Sequence, residues 1–293
     1  GTARKPSKKL ILALMTTGRD HANARGWTDI YTYTKYLAER FLVQQRGAQA
    51  LGIFRPAIIE STVGGQYPGW LKGIKVMDAI LAAYGKGMIP GFPVDLEAPL
   101  DVIPVDMVAS GVLAQAAQML TEPHAGEVNV CQLGSSASNP LLLKKVSEYT
   151  YAHYSTKPLP GLAGRPIIVS KPRFPLLKNH VQWLERYLGV LNMIYAACDR
   201  PLLSSATGGL RRQVTGRQKN IKRYLALAKM FGSYAQTRRL FQTTHVDTLF
   251  LRLSPQEQQM FNFAHRSIDW RRYMLDHHLP GLDRLLTATT KRQ

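Results

Sequence analysis

The chain contains two different spacings of hydrophobic residues. In the first half, short apolar runs rich in Ile, Val and Leu alternate with longer segments in which apolar residues recur every three or four positions. The short runs predict buried strands, and the longer segments predict helices. Strands that alternate with helices are typical of an α/β protein with a parallel sheet.

Turn residues place the boundaries of these elements. Pro56 interrupts a strand at 50–61, glycines close a helix at 68–87, and a strand that starts at residue 100 becomes a helix near Asp106. The remaining predicted elements of this half are a helix at 31–45, a strand at 126–134, and a helix begun by Ser138 or Asn139 with Pro140 at its first position.

The pattern changes after about residue 155. A stretch rich in proline and glycine, Lys157–Pro166, has the composition of a linker, and the sequence beyond it is helical, basic and poor in strand signals. The sequence therefore predicts two domains, residues 1–156 and residues 157–293.

Charge is distributed unevenly along the chain. Residues 1–150 carry 15 Lys and Arg against 12 Asp and Glu, a net charge of +3, whereas residues 151–293 carry 23 against 7, a net charge of +16. A basic half indicates an anionic partner, such as a phosphate-bearing cofactor, an acidic carrier protein or an anionic membrane. Nucleic acid is not expected, since no nucleic-acid-binding motif accompanies the basic stretch Gly209–Phe241. That stretch is also consistent with the solvated face of a helical domain.

Length and cysteine usage exclude several classes of protein. The 293 residues are enough to bury a core, and Cys131 and Cys198 stand far apart without a CxxC partner, which argues against a disulfide framework and a structural zinc site. A reducing cytoplasm is expected. No apolar run approaches the ~20 residues that span a bilayer, which predicts a soluble protein or one peripheral at the membrane. Because the sequence begins with Gly1, we expect the natural N-terminus to lie upstream.

The segment Asp29–Leu42, "DIYTYTKYLAERFL", carries the strongest candidate chemistry. Residues four apart share a helix face, so Tyr31 and Lys35 can project into one cleft, whereas Tyr33 points elsewhere. An ammonium close to a phenol favours the phenolate, and such a pair can act as a general acid toward a carbonyl oxygen while hydride reaches the carbon. The same spacing also arises by chance, as an aromatic side chain on a core beside a snorkelling lysine.

The segments around this pair resemble the extended short-chain dehydrogenase/reductase family and, within it, the fatty acyl-CoA reductases. The similar stretches are "GWTDIYTYTKYLAE", "RPAIIES", "PGWLKGIKV" and "DVIPVDMVA" in the first half, and "FNFAHRSIDWRRYMLDHHLPGLDRLL" (Phe261–Leu286) near the end. The resemblance spans residues 25–140 and 230–287. It implies the C-terminal part of a doubly wound, Rossmann-type parallel sheet, followed by a mainly helical domain.

The resemblance also implies roles for individual residues around a nicotinamide cofactor. Tyr31 would be the proton donor. Lys35 would modulate its acidity and hold the ribose of the cofactor. The backbone at Pro56, Ala57 and Ile58 would lie against the nicotinamide ring.

Three further matches have weaker implications. Trp70 would lie near the acyl entrance or pack its own turn. Asp106 and the stretch Ile268–Trp270 are expected to be structural, the first as a helix cap and the second as a helix-packing element.

Two features of the family have no match in the sequence. No G-x-x-G-x-x-G turn that would seat the cofactor pyrophosphate follows a strand, and no Ser or Thr stands where the active-site hydroxyl should precede Tyr31. We therefore expect the chain to be the C-terminal part of a longer reductase. No metal site is predicted, because the adjacent His277 and His278 cannot both face one ion from a regular helix and no carboxylate stands at ligand spacing.

Together, the resemblance implies an NADPH-dependent fatty acyl-CoA reductase that converts a long-chain acyl thioester to a fatty aldehyde or fatty alcohol. Its partners would be acyl-CoA or an acyl carrier protein, with an anionic membrane as a peripheral contact. The alternatives are a thioester reductase for carrier-bound chains, a sugar-nucleotide dehydrogenase, and a non-catalytic, membrane-associated protein that retains a reductase relic. As an isolated fragment, the chain is expected to be inactive.

Overall fold

Strands and helices alternate in the first half of the chain, and the second half is helical. The computed structural model describes residues 7–122, 127–161, 164–174, 177–199, 208–232 and 234–290. The predicted α/β class with parallel strands and a helical C-terminal region is confirmed.

Six short strands form three two-stranded sheets in the described residues. Strand β1 (Leu51–Pro56) pairs with β5 (Val128–Leu133). The Leu51 amide donates to the Glu127 carbonyl and the Ala57 amide to the Leu133 carbonyl, so the pairing advances in the same direction along both strands and is parallel. The other pairs are β2 (Ile58–Glu60) parallel to β4 (Val102–Pro104), and β3 (Pro99–Leu100) antiparallel to β6 (Leu141–Leu142).

The first two helices begin at residues whose side chains accept hydrogen bonds from the first turn. Ser7 caps α1 (Lys8–Asn23), and Asp29 caps α2 (Ile30–Gln45) through a 2.8 Å bond from the Thr32 amide. The other helices of this part are α3 (Val76–Gly85), α4 (Val105–Thr121) and α5 (Leu143–Thr156).

Two helices begin later than the sequence predicted. Turns and bends occupy residues 68–75 ahead of α3, because Gly69 and Gly73 adopt φ angles of 77° and 124°, which a helix does not contain. Ahead of α5, strand β6 is extended through its pairing with β3, so the helix begins at Leu143 and Pro140 lies outside it.

The C-terminal region is built from helices. Two long ones, α6 (Leu177–Cys198) and α7 (Gly208–Phe231), pack against each other. None of the helices in the described ranges combines the length and the apolar character needed to cross a bilayer. The remaining elements are α8 (Thr244–Arg252), α9 (Pro255–Met260), α10 (Trp270–Arg272), a π-helical segment (Tyr273–His278), α11 (Leu279–Thr290), and 3₁₀ turns at Tyr234–Gln236 and His265–Ser267.

The chain divides into two compact units. The first consists of Gly1–Phe54 and Gln115–Cys131, and the second of Arg55–Ala114 and Gln132–Gln293. In the first unit α1 packs against α2. The second unit holds the larger core. The predicted boundary between residues 156 and 157 separates two sequence regions of different composition, and it stays a prediction. The largest fully buried side chains of the second unit include those of Tyr154, Tyr273, Phe263 and Met274.

Candidate active site

Tyr31 and Lys35 lie together on one face of α2, in the first unit. The Lys35 ammonium is 5.5 Å from the centroid of the Tyr31 ring, and both side chains are exposed, Tyr31 at 68%. The Asp29 cap fixes the start of the helix just before them. The pair is therefore positioned by local sequence and is open to a ligand.

The other two tyrosines of α2 have packing contacts. Tyr33 is buried, with its hydroxyl 3.5 Å from Nδ1 of His21 and its ring beside that of Trp27. Tyr36 also lies beside Trp27, at 5.0 Å between ring centroids. Tyr31 is the most exposed of the three, which agrees with the prediction that Tyr31 and not Tyr33 shares a face with the lysine.

The backbone at Pro56, Ala57 and Ile58 joins β1 to β2. The amide of Ala57 donates to the carbonyl of Leu133 at 2.8 Å, and the amide of Ile58 donates to the carbonyl of Asp101 at 3.1 Å. Successive amides therefore donate to two different segments of the chain, β5 and the residue between β3 and β4. The cofactor roles of these three residues stay predictions.

Trp70 follows a turn that packs closely against the C-terminal helices. Gly69 has a positive φ, and a Cβ atom there would collide with the carbonyl of His277. In turn, a Cβ atom on Gly281 would collide with the carbonyl of Gly69. Trp70 itself is 50% exposed, so its ring is accessible to a ligand and its role near an acyl entrance stays a prediction.

Asp106 lies in the first turn of α4 and anchors a neighbouring loop. Its carboxylate accepts hydrogen bonds from the amides of Val63, at 3.2 Å, and Gly64, at 2.8 Å. These bonds hold the loop that follows β2. A structural role is therefore supported, although the carboxylate caps the loop backbone and not its own helix.

The stretch Ile268–Trp270 fastens α10 to the segment before β6. Asp269 caps α10 by accepting a 3.0 Å bond from the amide of Arg272. The indole of Trp270 donates to the carbonyl of Asn139 at 2.9 Å, and the Asn139 side chain donates to the carbonyl of Ile268 at 2.9 Å. These contacts are the helix packing that the sequence predicted.

The second unit contains a largely apolar pocket of about 680 Å³ between the loop at 88–91 and helices α6 and α7. Phe174 and Trp183 contribute aromatic surface to it, and Arg173 adds a positive charge. The pocket has the size of a small-molecule site. Sequence reasoning missed it, although two aromatic residues in a basic, proline-containing region were a signal.

Two models of known families match the chain. An NAD-binding domain model described as "Male sterility protein" matches residues 5–112, and a second model with the same description matches residues 205–288. The first range contains Tyr31 and Lys35, and it identifies the α/β part as an NAD(P)-binding domain of Rossmann type. The second range contains the basic helix α7 and most of the C-terminal helices.

Curated relatives match nearly the whole chain. Fatty acyl-CoA reductase 2, chloroplastic, of Arabidopsis thaliana is 34% identical over 275 residues, which are 91% of this chain and 43% of the relative. Probable fatty acyl-CoA reductase 4 of the same plant is 31% identical over 288 residues, covering 94% of this chain and 55% of the relative. The alcohol-forming fatty acyl-CoA reductase of Simmondsia chinensis is 28% identical, with coverage of 94% and 55%. The chain spans about half the length of these relatives.

Proposed function

This chain belongs to the fatty acyl-CoA reductase family, and we propose that the protein uses NADPH to reduce a long-chain acyl thioester to a fatty aldehyde or fatty alcohol. The observation that carries the proposal is the contact between Tyr31 and Lys35 on the open face of α2, inside the range of the NAD-binding model. An exposed tyrosine with an ammonium 5.5 Å from its ring centroid fits the proton-donating half of a carbonyl reduction.

The residues present fit the ribose end of a nicotinamide cofactor, because Lys35 offers exposed donors beside Tyr31. When bound, the reduced cofactor supplies hydride to the thioester carbon. Tyr31 donates a proton to the thioester oxygen, and the Lys35 ammonium stabilises the phenolate that remains. Cleavage of the carbon–sulfur bond releases the thiol and leaves the aldehyde. A second hydride and proton would give the alcohol. The apolar pocket beside α6 and α7 supports an acyl substrate.

An assay of the natural full-length protein tests this function. We expect long-chain acyl-CoA to drive oxidation of NADPH, with one thiol released for each aldehyde formed, and slower turnover with NADH. Reduction of carrier-bound chains but not of acyl-CoA would favour the thioester-reductase alternative. Failure with every acyl donor and both nicotinamides would favour the non-catalytic relic.

The basic helix α7 supports an anionic partner, for which we propose a peripheral contact with an anionic membrane. The helix contains seven Lys and Arg and no acidic residue. Arg211 and Lys229 form ion pairs with Asp199 and Glu185, at 2.7 Å and 2.6 Å, whereas the other five basic side chains are exposed. Each Lys or Arg near an anionic surface contributes about 1 kcal/mol to binding.

Co-sedimentation with liposomes tests this contact. The chain should bind anionic vesicles at low salt and detach as the ionic strength rises. The double variant Lys219→Gln/Lys222→Gln should bind less, while Lys86→Gln/Lys144→Gln, which removes two exposed lysines elsewhere, should bind like the parent chain. Equal binding to neutral vesicles would contradict the proposal.

Both cysteines support our placement of the protein in a reducing compartment such as the cytoplasm. Cys131 and Cys198 are buried and form no disulfide. Burial also raises the pKa of the Cys131 thiol, which keeps it protonated and unreactive at neutral pH.

A further inference from the structure

A buried polar cluster lies inside the second unit. It consists of Glu60 at the end of β2, Asp78 in the first turn of α3, and His278 at the end of the π-helical segment. Their exposed fractions are 2%, 0% and 0%, and one ligand atom from each lies within 4.8 Å of the other two. Two carboxyl groups in such a place are costly unless a positive charge or a proton joins them.

Hydrogen bonds around Ser61 fix the tautomer of the His278 ring. The hydroxyl of Tyr273 donates its hydrogen to the Ser61 carbonyl at 2.9 Å and accepts one from the Ser61 hydroxyl at 3.0 Å. The Ser61 hydroxyl oxygen lies 3.1 Å from Nδ1 of His278 and, with its own hydrogen committed, accepts a hydrogen from that nitrogen. In neutral imidazole, Nε2 then carries a lone pair. The Nε2 atom that carries this lone pair is part of the cluster, because it lies 3.1 Å from Oδ1 of Asp78.

Four atoms of the cluster have no hydrogen-bond partner among the described residues: both carboxyl oxygens of Glu60, Oδ1 of Asp78 and Nε2 of His278. Although Nε2 and Oδ1 are close, they are not aligned for a hydrogen bond. Asp78 is held in this position because its other oxygen accepts a 3.1 Å bond from the amide of Lys75 at the start of α3. Acceptors that face one another without a donor repel, so their convergence indicates a bound cation.

We propose that Glu60, Asp78 and His278 bind one divalent transition-metal ion, for which zinc is the best fit. Glu60, Asp78 and His278 each supply one ligand atom, and three protein ligands with oxygen and nitrogen donors are a common set for zinc. Two carboxylates balance the charge of a divalent ion, so the buried site is neutral. The imidazole donor selects zinc and its neighbours over magnesium and calcium, which prefer oxygen ligands alone.

The geometry around the site agrees with this assignment. Two ligand atoms on a tetrahedral zinc ion, each about 2.1 Å from the metal, are about 3.4 Å apart, close to the separation between His278 and Asp78. The bond from Nδ1 of His278 to Ser61 is the outer contact that orients a ligating histidine. Because the ligands are buried, the ion has a structural role and ties β2, α3 and the π-helical segment together.

A shared proton is the competing occupant of the cluster. Burial raises the pKa of Glu60 well above its usual value, Asp78 raises it further and Lys75 opposes them, so in the absence of a metal these surroundings favour the protonated form of Glu60. The two occupants are distinguished by metal content.

The test is the metal content of the purified 293-residue chain after dialysis against zinc and then against a weak chelator. We expect one zinc per chain by inductively coupled plasma mass spectrometry. Glu60→Gln, which preserves shape, and His278→Asn should each lose the metal. His265→Gln should retain it, because His265 is equally buried but lies beside Asp247 outside the cluster.

Metal-free wild-type protein would overturn the proposal and leave the protonated cluster. Zinc retained in Glu60→Gln and His278→Asn would overturn it as well, because the metal would then lie elsewhere. If a variant fails to fold, wild-type protein loaded with Co²⁺ decides the matter. A visible absorption band of Co²⁺ with nitrogen and oxygen ligands is expected, and the spectrum of aqueous Co²⁺ would contradict the site.

Discussion

At the scale of single residues, Tyr31 is the side chain on which the proposed chemistry depends. Tyr31→Phe removes one exposed hydroxyl and no packing, since the ring is largely in solvent. In the natural full-length protein we expect kcat to fall by ~10²–10⁴-fold, the usual contribution of a general acid, with KM for acyl-CoA nearly unchanged. Steady-state kinetics with acyl-CoA and NADPH measures both quantities.

Two further variants make this experiment specific. Tyr36→Phe removes a hydroxyl from the same helix and keeps the ring that lies beside Trp27, so it should retain full activity. Lys35→Met should lower both turnover and cofactor affinity, because the proposed mechanism gives the lysine a role in each. Wild-type rates in Tyr31→Phe and Lys35→Met would mean that the two residues form an ordinary contact on a helix and have no part in catalysis.

Asp247 supplies a pH-dependent contribution to the stability of the second unit. Burial raises its pKa, but hydrogen bonds from Arg266, at 2.7 Å, and Thr243, at 3.0 Å, outweigh burial and hold the pKa below its usual value. The unfolded chain therefore takes up this proton more readily than the folded chain does. The contribution is complete above about pH 4 and is lost as the pH falls through the lowered pKa of the folded state.

We therefore expect Arg266→Gln to lower the melting temperature at neutral pH, with a difference from wild type that shrinks as the solution is acidified. Arg271→Gln, an exposed change on the neighbouring helix α10, should leave the melting temperature nearly unchanged at every pH. Thermal melts across the acid range measure both effects. A loss that stays constant with pH would mean that Arg266 acts through something other than Asp247.

The sequence predicted contacts between residues that are close in sequence and missed contacts between residues that are far apart in sequence. Tyr31 and Lys35 are four apart, and helical periodicity alone places them on one face. Ser61 and Tyr273 are hydrogen-bonded across 212 positions, and no local pattern contains that contact. His278 was weighed only against its sequence neighbours, whereas Glu60 and Asp78 reach it through the fold.

At the scale of elements, the closest packing joins the turn at Gly69 to α11 at Gly281. Gly281→Ala places a methyl group against the Gly69 carbonyl, and we expect a loss of about 1–3 kcal/mol in the free energy of unfolding. Gly216→Ala lies within α7 with no atom within 4 Å of the new methyl group, so it should stabilise the chain by about 0.5–1 kcal/mol. Urea denaturation measures both, and a gain in stability for both variants would contradict the packing.

The same turn explains which element boundaries could be predicted. The strand predicted at 50–61 corresponds to β1 and β2, because a run of apolar residues is a local signal. The start of α3 was misplaced because the glycines before it serve a contact with α11 that the sequence does not show. The strand predicted to start at residue 100 corresponds to β4 and overlaps β3 at Leu100, whereas β6 was missed, since two residues are too few for a periodic pattern.

At the scale of the whole molecule, composition predicts an α/β part followed by a basic, helical part. Both parts are present in the structure in that order. The compact units do not follow the same division. Residues Gln115–Cys131 belong with Gly1–Phe54 although 60 residues of the other unit, Arg55–Ala114, lie between them in sequence. Contacts between segments that are distant in sequence decide which residues form a compact unit, and local composition does not predict those contacts.

Cofactor binding is a property of the chain as a whole. Tight binding of a dinucleotide depends on a glycine-rich turn that seats the pyrophosphate at a helix N-terminus, and no such turn follows a strand in this sequence. In the proposed role Tyr31 and Lys35 would contact only the ribose end, and both side chains are exposed. We expect calorimetry of the 293-residue chain with NADPH to detect no tight binding. Saturable micromolar binding by the chain alone would show that other residues replace the glycine-rich turn, since the exposed pair by itself lacks the contacts that hold a pyrophosphate.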